Sequence, residues 1–409
     1  MKLQLSKHSQ NTINGTIQVT GSKSETNRLL LLKALYPNLT LSNVSISDDG
    51  RVMKAGLQKT EGEVDIHHAG TAMRFLTAFF ASQEGREVVL TGSSRMKERP
   101  IGVLVEALET LGAEIDFLGM EGCPPLKIKG KQLSESRVSL PANVSSQYIS
   151  ALLLIAPSLP YGLTLELIGK ITSVPYIKMT LSLLEQLGVE TTFEENIITV
   201  APKSEIPDMT LEVESDWSSA SYFYSILALS APGSEVTLRS YRQNSLQGDS
   251  VCQKIYEAFG IETSFDVQTM TLRKKAVELP LLFECDLANA PDIAQTIAVT
   301  CFGLGIGCHL TGLHTLPIKE TDRLAAMKTE LSKFGAEVQT DDKSLTLSPS
   351  SEIKENVTID TYHDHRMAMA FGPLALRTSF HVNEAEVVSK SYPEYWNDLK
   401  QLGFEIKEV

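Results

Sequence analysis

Apolar positions along the chain recur in two alternating forms. In the first, a helix-spaced run ends at a glycine and is followed at once by an alternating, strand-like stretch. It appears at Leu108–Ile115, Leu184–Glu190, Tyr256–Glu262, Leu331–Val338 and Leu399–Ile406, with a weaker sixth copy at Gln58–Val64. Glycine just past a helix supplies the left-handed position that ends it, and the next residues begin a strand. In the second form a small polar cluster precedes an apolar run: Ser22–Leu32, Ala69–Phe80, Ser145–Ile155, Asp216–Leu229, Ala290–Cys301 and Asp364–Leu376. These runs are apolar on nearly every side, so they predict buried helices that open on capping residues. Together the two forms predict an α/β chain of six repeated β-α-β-α-β-β units.

Six buried helices with polar N-termini have a chemical consequence. A helix start offers free N–H groups and partial positive charge, which suit phosphate and carboxylate. If each domain gathers three such helices, their starts converge on one anion-binding surface. Two such surfaces facing each other predict a cleft between the domains.

Cations stand where the helix dipole disfavours them. The segment Ser22-Lys23-Ser24-Glu25-Thr26-Asn27-Arg28 leads straight into Leu29–Leu32. Arg74, Lys319, Arg323 and Arg366 sit at comparable polar ends, and Arg95–Pro100 and Ser389-Lys390-Ser391 are further basic runs. Singly, each reads as a solvated surface charge. Collectively they call for a compensating anion, with Arg suited to two-point pairing and Lys acting as a point charge. Glu25 is expected to offset Lys23 and Arg28 when no ligand is bound. Asp292 at a helix start would ordinarily cap or pair with the dipole, and Glu320 between Lys319 and Arg323 would ordinarily join a surface salt bridge. Beside ligand-binding cations, either is placed to move protons instead.

Composition narrows the classes. The 409 residues are 42% hydrophobic and 21% charged, with a formal net charge of −13. That balance suits a globular protein of two or three domains and argues against nucleic acid or an anionic membrane as partner. The longest apolar stretch, Ile297–Cys308, is too short and glycine-rich to span a bilayer, and the first residues lack the apolar core of a signal peptide. Five cysteines without paired spacing suggest free thiols in a reducing cytoplasm. His363-Asp364-His365 is the nearest approach to a metal motif, but its members diverge on a helix, so no metal is expected. Gly303-Leu304-Gly305-Ile306-Gly307 follows a helix instead of opening one, which makes it a tight connection and not a dinucleotide loop. No nucleotide-binding P-loop or Gly-x-Ser-x-Gly elbow is present, and no cofactor is expected.

Six segments carry a resemblance. Gly21–Ser24 with Asn27-Arg28, Ala69–Arg74, Arg95–Ile101, Ser145–Gln147, Lys319–Arg323 and Asp364–Met369 are similar, in order, to the motifs of the 5-enolpyruvylshikimate-3-phosphate synthases. The resemblance runs from residue 21 to about 395. It implies the two-domain enolpyruvyl transferase fold, three units per domain with a cleft between the domains, residues 1–20 and 215–409 forming one discontinuous domain and 21–214 inserted into it. It also implies a cytoplasmic enzyme of the shikimate pathway to chorismate and the aromatic amino acids, monomeric, with two anionic small-molecule substrates.

The resemblance further implies transfer of enolpyruvyl from phosphoenolpyruvate to the 5-hydroxyl of shikimate 3-phosphate through a tetrahedral intermediate. Lys23, Ser24, Arg28, Ser145, Ser146, Gln147, Ser173, Tyr176, Asp292 and Lys319 would hold shikimate 3-phosphate. Lys23, Gly70, Arg99, Gln147, Arg323, Arg366 and Lys390 would hold phosphoenolpyruvate. Asp292 would take the hydroxyl proton, and Lys23 or Glu320 would protonate the methylene carbon. His68, Phe75 and Thr315 depart from the usual family residues, and Phe75 in place of proline is expected to shift its helix, which bears on affinity and glyphosate sensitivity. Two alternatives stay open. One is the sister UDP-N-acetylglucosamine enolpyruvyl transferase, although Cys123 sits in Glu121-Gly122-Cys123-Pro124-Pro125 and not in that enzyme's Pro-Gly-Gly-Cys loop. The other is a catalytically silent anion binder on the same scaffold.

Overall fold

A computed structural model describes residues 1–9, 12–142, 145–169, 171 and 174–409. The chain divides into two compact units, one formed by Met1–Thr20 with Glu214–Val409 and the other by Gly21–Val213. Glu214 groups with the discontinuous unit, one residue earlier than the sequence places the return. Its buried carboxylate accepts bonds from Trp217 Nε1 at 2.8 Å, Arg242 N at 3.0 Å and Ser245 Oγ at 2.6 Å, all in that unit.

Among the described residues the strands form six small sheets, five of four strands and one of two. The five share one plan. In the sheet built from Glu61–Asp65, Glu87–Thr91, Glu114–Phe117 and Leu126–Lys129, the first two strands run parallel and the fourth lies antiparallel between the second and third. Each crossover carries a helix, as a parallel pair requires. The same order recurs at Arg137–Val200 and at Leu282–Leu347. Two copies are completed from afar. Strand Asn14–Ile17 pairs parallel with Glu235–Arg239, and Leu3–Leu5 lies between Phe380–Val382 and Ile406–Glu408. The inserted unit therefore interrupts a repeat between its first strand and first helix.

The sixth unit is incomplete. Its sheet is the parallel pair Leu39–Ser42 with Met209–Glu212, and the weak copy at Gln58–Val64 does not add a strand to it. Glu61–Asp65 instead opens the next repeat, paired with Glu87–Thr91. In the other five copies the glycine ends a helix with φ between 73° and 105°, at Gly188 and Gly112 respectively. Gly62 lies inside a strand, so the glycine alone is not diagnostic.

The six polar-capped runs are helices at Lys23–Leu35, Gly70–Ala81, Ser146–Ile155, Trp217–Leu229, Ala294–Leu304 and His365–Phe371. Ser22, Ser145, Asp216 and Asp364 cap four of them through side-chain oxygens. Ala69 cannot, and the fifth is preceded by a 3-10 turn, Pro291–Ile293, whose carboxylate is used elsewhere. Each unit packs three of these helices together at its centre. That central position accounts for their apolar residues on every side. Gly303 lies within a helix, Gly305 ends it in the left-handed conformation and Gly307 starts a strand, so the glycine-rich stretch is a tight connection.

Candidate active site

In the unit Gly21–Val213 the starts of the three central helices meet. Gln147 Nε2 donates to Thr71 Oγ1 at 3.1 Å, which ties two first turns together. Arg28, one turn into the first helix, reaches the central helix Ser146–Ile155 and the neighbouring helix Val174–Gln186. Its Nε donates to Thr180 Oγ1 at 2.8 Å and its Nη2 to Ser150 Oγ at 3.0 Å, while Nη1 turns back to the Ser24 carbonyl at 2.8 Å. Phe75 lies against the guanidinium, 5.4 Å from its carbon to the ring centroid, and Tyr176 flanks it at 5.9 Å. The helix Gly70–Ala81 runs unbroken through Phe75, so that departure from the family pattern supplies a buried wall for Arg28 without breaking the helix. Burial pushes Arg28 down to about 10, while Tyr176 and Glu25 act in the opposite direction.

Lys23 is offset differently from the expectation. Its Nζ lies 3.3 Å from Asp49 Oδ2, so Asp49 in the next helix, not Glu25, is the carboxylate in ion-pair contact with it. Glu25 points its backbone N–H at the Ser22 cap, and its charge acts on Arg28. Gly70 is covered by Arg99: a Cβ there would stand 2.5 Å from Nη1. Of the basic run, Arg95 pairs with Glu98 at 3.0 Å on the surface, and Arg99 alone turns to the helix start. Arg74 is spent internally on the carbonyls of Gly70 at 3.1 Å and Pro100 at 2.9 Å. Ser24, Ser146, Gln147 and Tyr176 are partly or wholly buried and Ser145 is exposed, while Ser173 lies outside the described residues.

The other unit gathers its charges more tightly. Asp292 Oδ1 is 2.9 Å from Arg323 Nη1 and 3.3 Å from Lys319 Nζ, and its Oδ2 is 3.2 Å from Arg366 Nη2. Arg323 also holds Glu320 at 3.0 Å and Asp364 at 2.7 Å, and Lys390 Nζ reaches Glu320 Oε1 at 2.6 Å. Arg366 Nη2 donates to Ser218 Oγ at 3.2 Å. The starts of the three central helices are thereby joined here too, through Ser218, Asp292 and Arg366. Burial alone would raise the Asp292 carboxyl, but Arg366, Lys319 and Arg323 outweigh it and hold the group well below the usual carboxylate range. Asp292 makes no cap bond to its own helix, so the capping reading is set aside. The two Ser-Lys-Ser segments differ: Ser22 caps a helix, whereas Lys390 ends the 3-10 turn Ala385–Lys390.

Three carboxylates went unassigned in the sequence. Asp364 is fully buried, accepts two bonds from Arg323 and caps its own helix, so it is unsuited to a metal. Its histidine neighbours differ in setting, His363 exposed in a turn before the helix and His365 buried at its start, so their separation does not come from a shared helix. Asp49 and Asp249 are the others, each in a segment whose sequence carries no charge pattern of its own. Cys123 is buried at 7% exposure, and all five cysteines are free. No helix among the described residues is long and apolar enough to cross a membrane.

Comparison with known proteins follows the same lines. The family described as EPSP synthase (3-phosphoshikimate 1-carboxyvinyltransferase) matches residues 54–399. Relatives named 3-phosphoshikimate 1-carboxyvinyltransferase from two strains of Bacteroides fragilis are 43% and 45% identical, each match covering 100% of this chain and 99% of the relative. One from Photobacterium damsela subsp. piscicida is 38% identical, covering 96% and 98%. Among solved structures, EPSP synthase from Acinetobacter baumannii superposes with a TM-score of 0.82 at 20% identity over 100% of both chains. The enolpyruvyl transferase NikO from Streptomyces tendae does so at 0.75 and 13% identity, over 100% and 99%. At such identities the structures speak for the fold alone.

Proposed function

Because this chain belongs to the EPSP synthase (3-phosphoshikimate 1-carboxyvinyltransferase) family, we propose that the cation clusters of its two units hold phosphoenolpyruvate and shikimate 3-phosphate for enolpyruvyl transfer. The reaction joins the enolpyruvyl carbon to the 5-hydroxyl and releases phosphate, as a step of the shikimate pathway. The observation that carries the site assignment is Asp292, an ionised carboxylate in direct contact with Lys319, Arg323 and Arg366.

The chemistry follows from that arrangement. Facing three cations, Asp292 is a weak base. Once those cations turn to substrate phosphate and carboxylate groups, their pull on Asp292 falls and its proton affinity rises. The base is thus strengthened by the substrates it serves. Asp292 takes the 5-hydroxyl proton, and Lys23 or Glu320 protonates the methylene carbon. Arg99, Arg323, Arg366 and Lys390 hold the donor's charges, with Lys23, Gly70 and Gln147 beside them, as the tetrahedral intermediate forms; loss of a proton from its new methyl group then restores the carbon–carbon double bond as the C–O bond to phosphate breaks. Lys23, Ser24, Arg28, Ser145, Ser146, Gln147, Ser173, Tyr176, Asp292 and Lys319 hold the acceptor. Gly70 leaves room for Arg99 to lie flat over the helix start. Units 1–20 with 214–409 and 21–213 act as the two domains of the enzyme. The five free cysteines fit a reducing cytoplasm, and a monomer is the expected state.

The direct test is phosphate release from the purified protein supplied with both substrates. Release only when the acceptor is the UDP-sugar would overturn the assignment, and release with neither would leave an anion binder.

A further inference from the structure

Asp249 lies in the 3-10 turn Gly248–Val251 and is 5% exposed. Ser218 connects it to the cation cluster: the Ser218 hydroxyl donates to Asp249 Oδ2 and accepts from Arg366 Nη2 at 3.2 Å. The same Nη2 donates to Asp292 Oδ2 at 3.2 Å. A hydroxyl has one proton. While Asp249 is ionised that proton is committed to it, and the Ser218 oxygen faces Arg366 as an acceptor. Asp249 Oδ1 is buried and has no partner among the described residues. If the carboxyl gains a proton, placing it on Oδ1 would bury an unsatisfied donor, so it goes to Oδ2 and points at Ser218. The Ser218 proton must then turn elsewhere, and toward Arg366 it would meet another donor.

We propose that Asp249 is a positioning residue for the enolpyruvyl donor, its carboxylate holding Ser218 as the acceptor that fixes Arg366. This rests on the assignment of Arg366 to phosphoenolpyruvate. The charged and titratable groups facing Asp249 are Asp292, Arg366 and Asp216, with the Cys252 thiol in the following helix. Burial, then the charge of Asp292, pushes Asp249 up to about 6, against the pull of Arg366 and the Ser218 bond. Donor binding is therefore coupled to the proton on a residue that never touches the donor.

The experiment is steady-state kinetics from pH 5 to 8 on Asp249→Asn, Ser218→Ala and Arg366→Lys. In Asp249→Asn the amide nitrogen faces Ser218 for the reason given for Oδ2, so the variant imitates the protonated acid. At pH 8 its KM for phosphoenolpyruvate should rise about tenfold, the scale of one charged hydrogen bond. Its kcat should stay within about threefold and its KM for shikimate 3-phosphate should be unchanged. The ratio of variant to wild-type KM should fall toward one at pH 5, where the wild type is itself protonated; comparing the two removes the titration of the substrate. Ser218→Ala should show the same rise and supplies the test if the asparagine variant does not fold. A KM ratio independent of pH, or a loss shared by both substrates or confined to kcat, overturns the proposal. Arg366→Lys separates the two readings. If it raises the donor KM while the other two variants do not, only the role of Asp249 fails; if it leaves the donor KM unchanged, the assignment of Arg366 fails and the proposal with it.

Discussion

Arg323 and Asp364 are joined at two points inside the discontinuous unit, Nε to Oδ2 at 2.7 Å and Nη2 to Oδ1 at 3.3 Å. The same Asp364 Oδ1 accepts the backbone N–H of Arg366 at 2.9 Å. One buried carboxylate thus orients the fork of one arginine and caps the helix that presents another. Removing it strands a buried charge and a helix start together. We expect Asp364→Ala to lower unfolding free energy by about 3–5 kcal/mol, the scale of a broken buried pair. Urea denaturation checks this, and a loss within about 1 kcal/mol would show that Glu320 and Asp292 suffice for Arg323.

Asp292→Asn keeps the shape of the proposed base and removes its charge. Turnover should fall at least ~100-fold, the scale of general-base catalysis. Binding of both anionic substrates should tighten, because Lys319, Arg323 and Arg366 lose a competitor. Single-turnover phosphate release and titration calorimetry give the two numbers; near-normal turnover would remove Asp292 from the chemistry.

Arg28→Lys retains a charge but loses the planar fork that serves Thr180, Ser150 and the Ser24 carbonyl at once. A flexible ammonium cannot replace that geometry or its stacking on Phe75. Affinity for shikimate 3-phosphate should drop about tenfold or more, with phosphoenolpyruvate much less affected. Equal loss for both substrates would count against the assignment of Arg28 to the acceptor.

Gly70→Ala places a methyl 2.5 Å from Arg99 Nη1, the mobile end of a long side chain. Arg99 can swing aside, so the melting temperature should hardly change. The KM for phosphoenolpyruvate should rise as the guanidinium leaves the helix start. A stable variant with unaltered donor KM would sever Arg99 from donor binding.

Two carboxyls bend the pH dependence of stability in opposite directions. Asp292 is depressed, so its contribution is complete above the ordinary aspartate range and is lost on acidification through its lower folded value. Asp249 is raised to about 6, so its contribution is present below the ordinary range and is lost as pH climbs through about 6. Asp398, raised to about 6 by burial, acts in the same window. Comparing Asp249→Asn with wild type isolates one of them: the variant should be more stable at pH 8, by roughly 3 kcal/mol at most, and not at pH 4. Thermal melts across that range decide it.

Much of the architecture was legible because each repeat states its own boundaries. A capped apolar helix and a glycine-ended one leave local marks, and five complete copies reinforce one another. The exception is informative: Gln58–Val64 has the glycine but belongs to the next sheet, since strand membership depends on pairing partners far along the chain. Leu3–Leu5 and Asn14–Ile17 complete distant sheets, which no local period reveals. The cations at helix starts could be picked out because the dipole makes them costly where they stand. Their counter-ions could not. Asp49, Asp249 and Asp364 look like ordinary turn and cap residues, and only the packing of separate elements sets them against Lys23, Ser218 and Arg323. Phe75, which stands where proline is usual, lies inside a continuous helix with Arg28 over its ring.

The setting of Arg28 reaches beyond its own contacts. Its three shortest hydrogen bonds run to two hydroxyls and a carbonyl, all neutral, whereas Arg323 carries three carboxylates of its own. The surroundings of Arg28 are therefore short of hydrogen-bonded carboxylates, while the Arg323 cluster is already neutralised from within. Dissolved anions should act on them in contrary ways. Inorganic phosphate should compete for the first more readily than for the second, where it meets built-in carboxylates. Phosphate in the storage buffer should therefore weigh differently on measurements made at the two clusters.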